Sequence, residues 1–319
     1  MQNLKSKLAL SLIFALIVFL ALAFYADAPR LLAAFAAFDW RWLPLALLTT
    51  LINYLLRFAR WHYYLGVIGV TQVSHRDSLL IFLSGFSLTM TPGKLGEVLK
   101  SFLLKSRFGT PVSYSASIVV AERLTDVLGM VILAAAGLAL YPVGVGPLAF
   151  VLGATLALVL VAQQRALVER LIDLGARVPV VGSRFADLAR NLYASVYLML
   201  RAQPLLIAIA LATAAWFGEC VSFWFILIGI GEPATAWLLL QATFIYAAAS
   251  LFGAASMLPG GLGATEGGMA FLLEQIVHVA REAAVAATLI VRLCTLWFAV
   301  LLGVLALLAF GVPRQITPE

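Results

Sequence analysis

The chain has 319 residues, 63% of them hydrophobic and only 11% charged, with a formal net charge of +6 and a mean hydropathy of +1.04. Soluble domains carry about 25% charged residues, so this composition excludes an ordinary water-soluble fold and points to a chain whose solvent is lipid. The positive charge is spread as a topology signal, so nucleic acid is not an expected partner.

Lys5 and Lys7 precede an apolar run from Leu8 to Phe24. Its 17 residues exceed the roughly 7–15 of a cleaved signal segment, and further spans follow, so it reads as a retained first helix. Full spans need about 20 apolar residues. They are expected near Leu8–Phe24, Leu43–Leu65, Ser113–Leu140, Leu148–Val161, Leu205–Ile230 and Leu289–Phe310.

Two further apolar regions, Leu79–Leu104 and Trp237–Leu273, are broken midway. The breaks are Pro92-Gly93-Lys94-Leu95-Gly96-Glu97 and Pro259-Gly260-Gly261-Leu262-Gly263-Ala264-Thr265-Glu266. Proline and clustered glycines stop a helix. Inside hydrocarbon, that is tolerable only where the freed backbone lines a cavity or packs on protein. Each region is therefore expected to be a re-entrant hairpin of two half-helices.

Between Gln163 and Arg201 the chain is too polar to span. Phe185, Leu188, Leu192, Val196 and Leu200 recur at helical spacing, as expected of an amphipathic helix on the cytoplasmic interface, a basic surface suited to anionic lipid. Pro179 and Gly182 separate it from a shorter helix carrying Leu167, Leu171 and Leu174. A plain linker between two halves fits the same residues.

Charge tests the topology. With both broken regions re-entrant and the N-terminus cytoplasmic, thirteen cations fall inside: Lys5, Lys7, Arg76, Lys100, Lys105, Arg107, Arg165, Arg170, Arg177, Arg184, Arg190, Arg201 and Arg314. Only Arg30, Arg41 and Arg281 fall outside. That bias obeys the positive-inside rule and puts both termini in the cytoplasm.

The two breaks are related in sequence, and from each glutamate, Glu97 or Glu266, it is 26 residues to an arginine, Arg123 or Arg292. The expected fold class is an all-α polytopic membrane protein of about six full spans plus two re-entrant helical hairpins, used as an inverted repeat. Residues 1–319 form a single integral membrane domain: 1–42 the first helix and external loop, 43–140 repeat 1, 141–202 a linking span and cytoplasmic amphipathic helix, 203–311 repeat 2.

An ionisable group inside a membrane costs about 2.5–3.5 kcal/mol on insertion scales, so each one requires a reason. Candidate substrate-binding residues are Lys94, Glu97, Arg123, Asp126, Glu266, Arg292, Arg57 and Arg60. Glu97 is expected to meet Arg123, and Glu266 to meet Arg292. Arg123 also reaches Asp126 at i+3. Arg57 and Arg60 sit where they can snorkel to the interface, and Glu219 is alone in its span. The cations together suit a phosphate, but the same pairs would equally pin each hairpin to its neighbour. Cys220, Cys294 and the three scattered histidines give no metal-ligand spacing. No cofactor is called for.

Four blocks in this order, Arg57-Phe58-Ala59-Arg60-Trp61, Pro92 to Glu97, Glu122-Arg123-Leu124-Thr125-Asp126 and Pro259 to Glu266, resemble those of the lysylphosphatidylglycerol synthase transmembrane-region family, flippase-like integral membrane proteins. The resemblance spans about Leu43 to Phe310. It implies re-entrant helices in the bacterial inner membrane and lipid translocation, with membrane lipids as substrate. Bifunctional members carry a cytosolic synthase domain; this chain ends at Glu319 without one, so it resembles a stand-alone member, similar in size to a hopanoid-biosynthesis-associated subgroup. Aminoacyl transfer is not expected. The expectation is a flippase moving a phospholipid or a polyprenyl- or hopanoid-type lipid between leaflets. An intramembrane lipid-modifying enzyme and a non-transporting scaffold for lipid-biosynthesis enzymes are the alternatives, and a homo-oligomer is compatible with the same residues.

Overall fold

The computed structural model describes residues 2–90, 95–138, 145–176 and 182–311. Among them every regular element is helical. Helix α1 (Gln2–Tyr25) turns through 94° into α2 (Ala28–Ala37) at Asp27, whose positive φ and following Pro29 break the run. A short turn capped by Asp39, which accepts from the Arg41 N–H, leads into α3 (Leu43–Val67).

Helix α4 (His75–Ser84) starts where the Ser74 hydroxyl accepts from the Asp77 N–H, a side-chain cap that satisfies one of the orphan donors of the first turn. It tightens into a 3-10 turn, Gly85–Leu88. Helices α5 (Leu95–Phe108), α6 (Val112–Leu138) and α7 (Val145–Gln163) follow. The chain then bends by 84° into α8 (Arg165–Ala176). After α8 come α9 (Gly182–Met199), α10 (Ala202–Gly229) and α11 (Ala236–Ala255). A glycine-rich turn connects α11 to α12 (Ala264–Leu272). Finally α13 (Arg281–Arg292) runs through a π-helical turn, Leu293–Trp297, into α14 (Phe298–Phe310).

By length and composition, four described helices suffice to cross a membrane: Trp40–Val67, Ala202–Gly229, Ala236–Ala255 and Arg281–Phe310. Counting each bent pair as one span gives six. Helix α6, at 27 residues, is long enough as well, at about 1.5 Å per residue. It carries Glu122, Arg123 and Asp126 in mid-helix, and those charges are satisfied inside the protein, as described below.

The second broken region is two helices of unequal length about the expected break. Helix α11 runs 20 residues without interruption, and the break falls after it, in the 3-10 turn Pro259–Gly261. Pro92, Gly93 and Lys94 lie outside the described residues. Gly96 and Glu97 belong to the first turns of α5, but the side chain of Glu97 also lies outside them.

In lipid, helices associate through close packing and buried hydrogen bonds rather than through water exclusion. Helices α3 and α10 approach closely at Gly218, where a Cβ would stand 3.1 Å from the Thr49 carbonyl oxygen. Across the same seam Asn53 Nδ2 donates to the Ala215 carbonyl at 2.7 Å and Thr50 Oγ1 to Ser222 Oγ at 3.3 Å. Two apolar cores result. One gathers Phe223, Ile226, Ile245, Ile290 and Val291 from α10, α11 and α13. The other gathers Trp61, Tyr64, Ile81, Leu104 and Ile118 from α3 to α6.

The polar stretch after α7 forms the expected pair of helices. On α8, Leu167, Leu171 and Leu174 are exposed together, whereas Val196 and Leu200 at the end of α9 are buried. Two sequence expectations are corrected. Arg60 does not snorkel: it is 1% exposed and ion-paired with Asp126. Lys100, counted as an inside-loop cation, is 4% exposed and paired with Glu122, so it reports on the core and not on topology.

Candidate functional site

Most of the charges that composition forbids in lipid converge around one cavity of about 490 Å³. Its wall includes Arg57 from α3, Lys100 from α5, Arg123 from α6, Glu219 from α10 and Arg292 from α13, with Gly260 and Gly261 of the break. Tyr54, Phe82, Phe86, Trp216 and Tyr246 supply aromatic surface. Met257 and Leu258 also line it and are themselves exposed, so the cavity reaches the surface beside the break.

At the break, Gly260, Gly261 and Gly263 all take positive φ, a conformation that costs glycine little and other residues more. The geometry turns the Gly260 carbonyl to Arg292, whose Nη2 donates to it at 2.9 Å. Arg292 Nε also donates to Glu266 Oε1 at 2.5 Å. Glu266, fully buried, accepts the Gly263 N–H on its other oxygen at 2.6 Å. The second glutamate–arginine pair thus meets as its 26-residue offset implies. It fixes the start of α12 to the end of α13.

On the other side, Asp126 is held by two arginines and a tryptophan. Its Oδ1 accepts Arg60 Nη2 at 2.7 Å and Trp216 Nε1 at 3.0 Å; its Oδ2 lies 3.0 Å from Arg123 Nη2. Thr125 Oγ1 accepts Arg60 Nη1 at 3.0 Å. Lys100 Nζ donates to Glu122 Oε2 at 2.7 Å and sits 4.3 Å from the centre of the Trp61 ring, a cation–π contact that further offsets its desolvation.

Arg57 differs. Its guanidinium lies over Phe86 at 5.3 Å and Trp216 at 5.7 Å, its Nε is buried without a hydrogen-bond partner, and no described carboxylate lies within ion-pair distance of it. Glu219 is its counterpart among carboxylates. It is 5% exposed and accepts a 2.5 Å hydrogen bond from the Tyr246 hydroxyl, again with no described cation in ion-pair range.

Of the sequence candidates, the structure brings Arg57, Arg123 and Arg292 to the cavity wall. It places Arg60, Asp126 and Glu266 behind it as partners of other groups. Lys94 and the expected Glu97–Arg123 contact lie outside the described residues. Lys100 and Glu219 line the cavity although sequence reasoning did not select them; Glu219 was marked only by its isolation, and Lys100 was counted as an inside-loop cation, although it falls one helical turn beyond Glu97.

Around the cavity the described charges number five cations, Arg57, Arg60, Lys100, Arg123 and Arg292, against four carboxylates, Glu122, Asp126, Glu219 and Glu266. In a low-dielectric site even one excess cation attracts an anion strongly, and a guanidinium with free donors matches the oxygens of a phosphate. Among the described residues no three His, Cys, Asp or Glu side chains converge to hold a metal ion.

A family model described as Lysylphosphatidylglycerol synthase TM region matches residues 8–303, and the chain belongs to that family. No curated protein matches the chain.

Proposed function

We propose that the protein translocates a phosphate-bearing lipid between the leaflets of the bacterial inner membrane. The head group would occupy the cavity against Arg57, and the acyl or polycyclic tail would stay in the bilayer beside Met257 and Leu258. The observation that carries this reading is the Arg57 guanidinium, a half-buried cation on the cavity wall with no described carboxylate in ion-pair range. Burying such a charge is costly, and an anionic head group would compensate it. The membrane-embedded helices and the family membership support a lipid-related role.

In this reading the segments around Pro92–Glu97 and Pro259–Gly263 are re-entrant breaks in an inverted repeat. Both termini are cytoplasmic, and the ion pairs Glu266–Arg292 and Lys100–Glu122 give the cavity fixed walls. Alternating exposure of such a midplane site is the general logic of repeat-built transporters. The test is leaflet exchange of labelled lipids in protein-containing liposomes. Phosphate-bearing lipids are expected to exchange faster than in protein-free liposomes, with no such increase for an uncharged diacylglycerol. Rates equal to protein-free liposomes across a broad lipid panel would sink the proposal.

A further inference from the structure

Three of the four described carboxylates around the cavity are each locked to a cation: Glu122 to Lys100 at 2.7 Å, Asp126 to Arg60 at 2.7 Å and Glu266 to Arg292 at 2.5 Å. Glu219 is not. Its hydrogen bond comes from the Tyr246 hydroxyl, and it shares the cavity wall with Arg57. Its charge can therefore change without breaking an ion pair, and its change acts on the guanidinium assigned to the substrate.

We infer that Glu219 is the proton carrier of the transport cycle, taking up one proton when an anionic head group binds Arg57 and releasing it when the head group leaves. The inference rests on the cavity being a phosphate site. While the cavity is empty, ionised Glu219 balances Arg57. A phosphodiester arriving beside a second negative charge in a buried cavity is repelled by it. Binding is favoured when Glu219 accepts a proton from water. An O–H bond forms on one carboxyl oxygen, the other keeps the Tyr246 hydrogen bond, and the phosphate takes over Arg57. The proton returns to water on release, so lipid anion and proton would move together as a neutral pair.

Among the described residues, the titratable and charged groups that share the cavity wall with Glu219 are Tyr54 and Arg57 of α3, Lys100 of α5, Arg123 of α6, Tyr246 of α11 and Arg292 of α13; Asp126 lies behind the wall and Cys220 is its neighbour on α10. Lys100, Arg123, Asp126 and Arg292 are held in ion pairs, and tyrosines and thiols are neutral between pH 5 and 7 by their ordinary values. The turn before α3 meets α10 further along, where Trp42 stacks on Phe225. Among the described residues, Glu219 is thus the group at this wall left to titrate.

The experiment is calorimetric titration of dihexanoylphosphatidylglycerol into the full chain in an uncharged maltoside detergent, from pH 5 to 7, in buffers of different ionisation enthalpy. This phosphodiester stays monoanionic across that range, so pH acts through the protein. A group protonated in the bound form strengthens binding at low pH, and affinity is lost as pH rises. For the wild type we expect affinity to fall by about tenfold or more over the range, with buffer-dependent heats giving proton uptake approaching one per lipid. Glu219→Gln is expected to bind with a flat pH profile and no uptake. Wild-type binding that is independent of pH and buffer overturns the proton role while leaving the phosphate site standing. No binding by wild type at any pH removes the phosphate site, and the proton role with it. The wild-type comparison between buffers decides the matter even if the variant does not fold.

Discussion

Arg292 Nε donates to Glu266 Oε1 at 2.5 Å across 26 residues of chain, and the same guanidinium holds the Gly260 carbonyl at 2.9 Å. One side chain thus fixes the glycine break, the start of α12 and the end of α13. Removing one partner of a buried ion pair costs about 3–5 kcal/mol, because the other is left uncompensated. Glu266→Ala is therefore expected to lower the thermal unfolding midpoint of the detergent-solubilised protein sharply. Arg292→Lys keeps the charge but loses the fork that serves both acceptors, so it should fall between wild type and Glu266→Ala. Equal stability of wild type and Glu266→Ala would show that the pair does not hold the break.

Lys100 and Glu122 form a second buried pair, 22 residues apart, at 2.7 Å. Lys100→Ala is expected to destabilise by about 3–5 kcal/mol for the same reason. Exchanging the pair, Lys100→Glu with Glu122→Lys, restores opposite charges and should recover a large part of the loss in a double-mutant cycle. It also moves the cation away from the Trp61 ring, so recovery is expected to be incomplete. A coupling energy near zero would contradict a direct pair.

How far the sequence reached follows from these residues. Apolar runs located the spans, Pro259 and its glycines located a break, and the equal offset linked Glu266 to Arg292, because each of these signals is local or repeated. The end of α11 was legible too, because the expected break at Pro259 lies just beyond Ala255, where the helix stops. Lys100 was taken for a loop cation because its partner Glu122 sits on another helix, beyond any periodicity. The same limit hid the difference between Arg57 and Arg60. Three residues apart, they are only about 60° apart around a helix, and the rotation of α3 against α6 and α10 decides which one finds Asp126.

Close packing gives a separate prediction. Helix α14 crosses the 3-10 turn Gly85–Leu88 at Gly303, where a Cβ would overlap the Ser87 nitrogen and stand 2.7 Å from the Phe86 carbonyl carbon. The obstruction is backbone, which cannot rotate away as a side chain can. Gly303→Ala is expected to destabilise by about 1–3 kcal/mol through overpacking. It should also displace Phe86, which covers the Arg57 guanidinium. A melting midpoint unchanged from wild type would contradict the close approach.

The two arginines of α3 give the most discriminating test. Arg60 is buried and serves Asp126 and Thr125; Arg57 lines the cavity, and among the described residues its guanidinium meets the rings of Phe86 and Trp216. Truncating Arg60 leaves the buried Asp126 with Arg123 and Trp216 alone, so Arg60→Gln is expected to lower the melting midpoint clearly and to accumulate poorly. Arg57→Gln breaks no ion pair, and Glu219 relieves the lost charge by taking up a proton, so the variant should fold with a near-wild-type melting midpoint. Its effect should fall on the ligand: a charge-assisted hydrogen bond contributes about 1.5–3 kcal/mol, or roughly ten- to more than a hundredfold in affinity for an anionic head group. Melting curves and lipid-exchange rates on both variants separate the outcomes. Should Arg57→Gln unfold like Arg60→Gln, or exchange lipid at the wild-type rate, Arg57 is part of the scaffold and the cavity does not use it to hold phosphate.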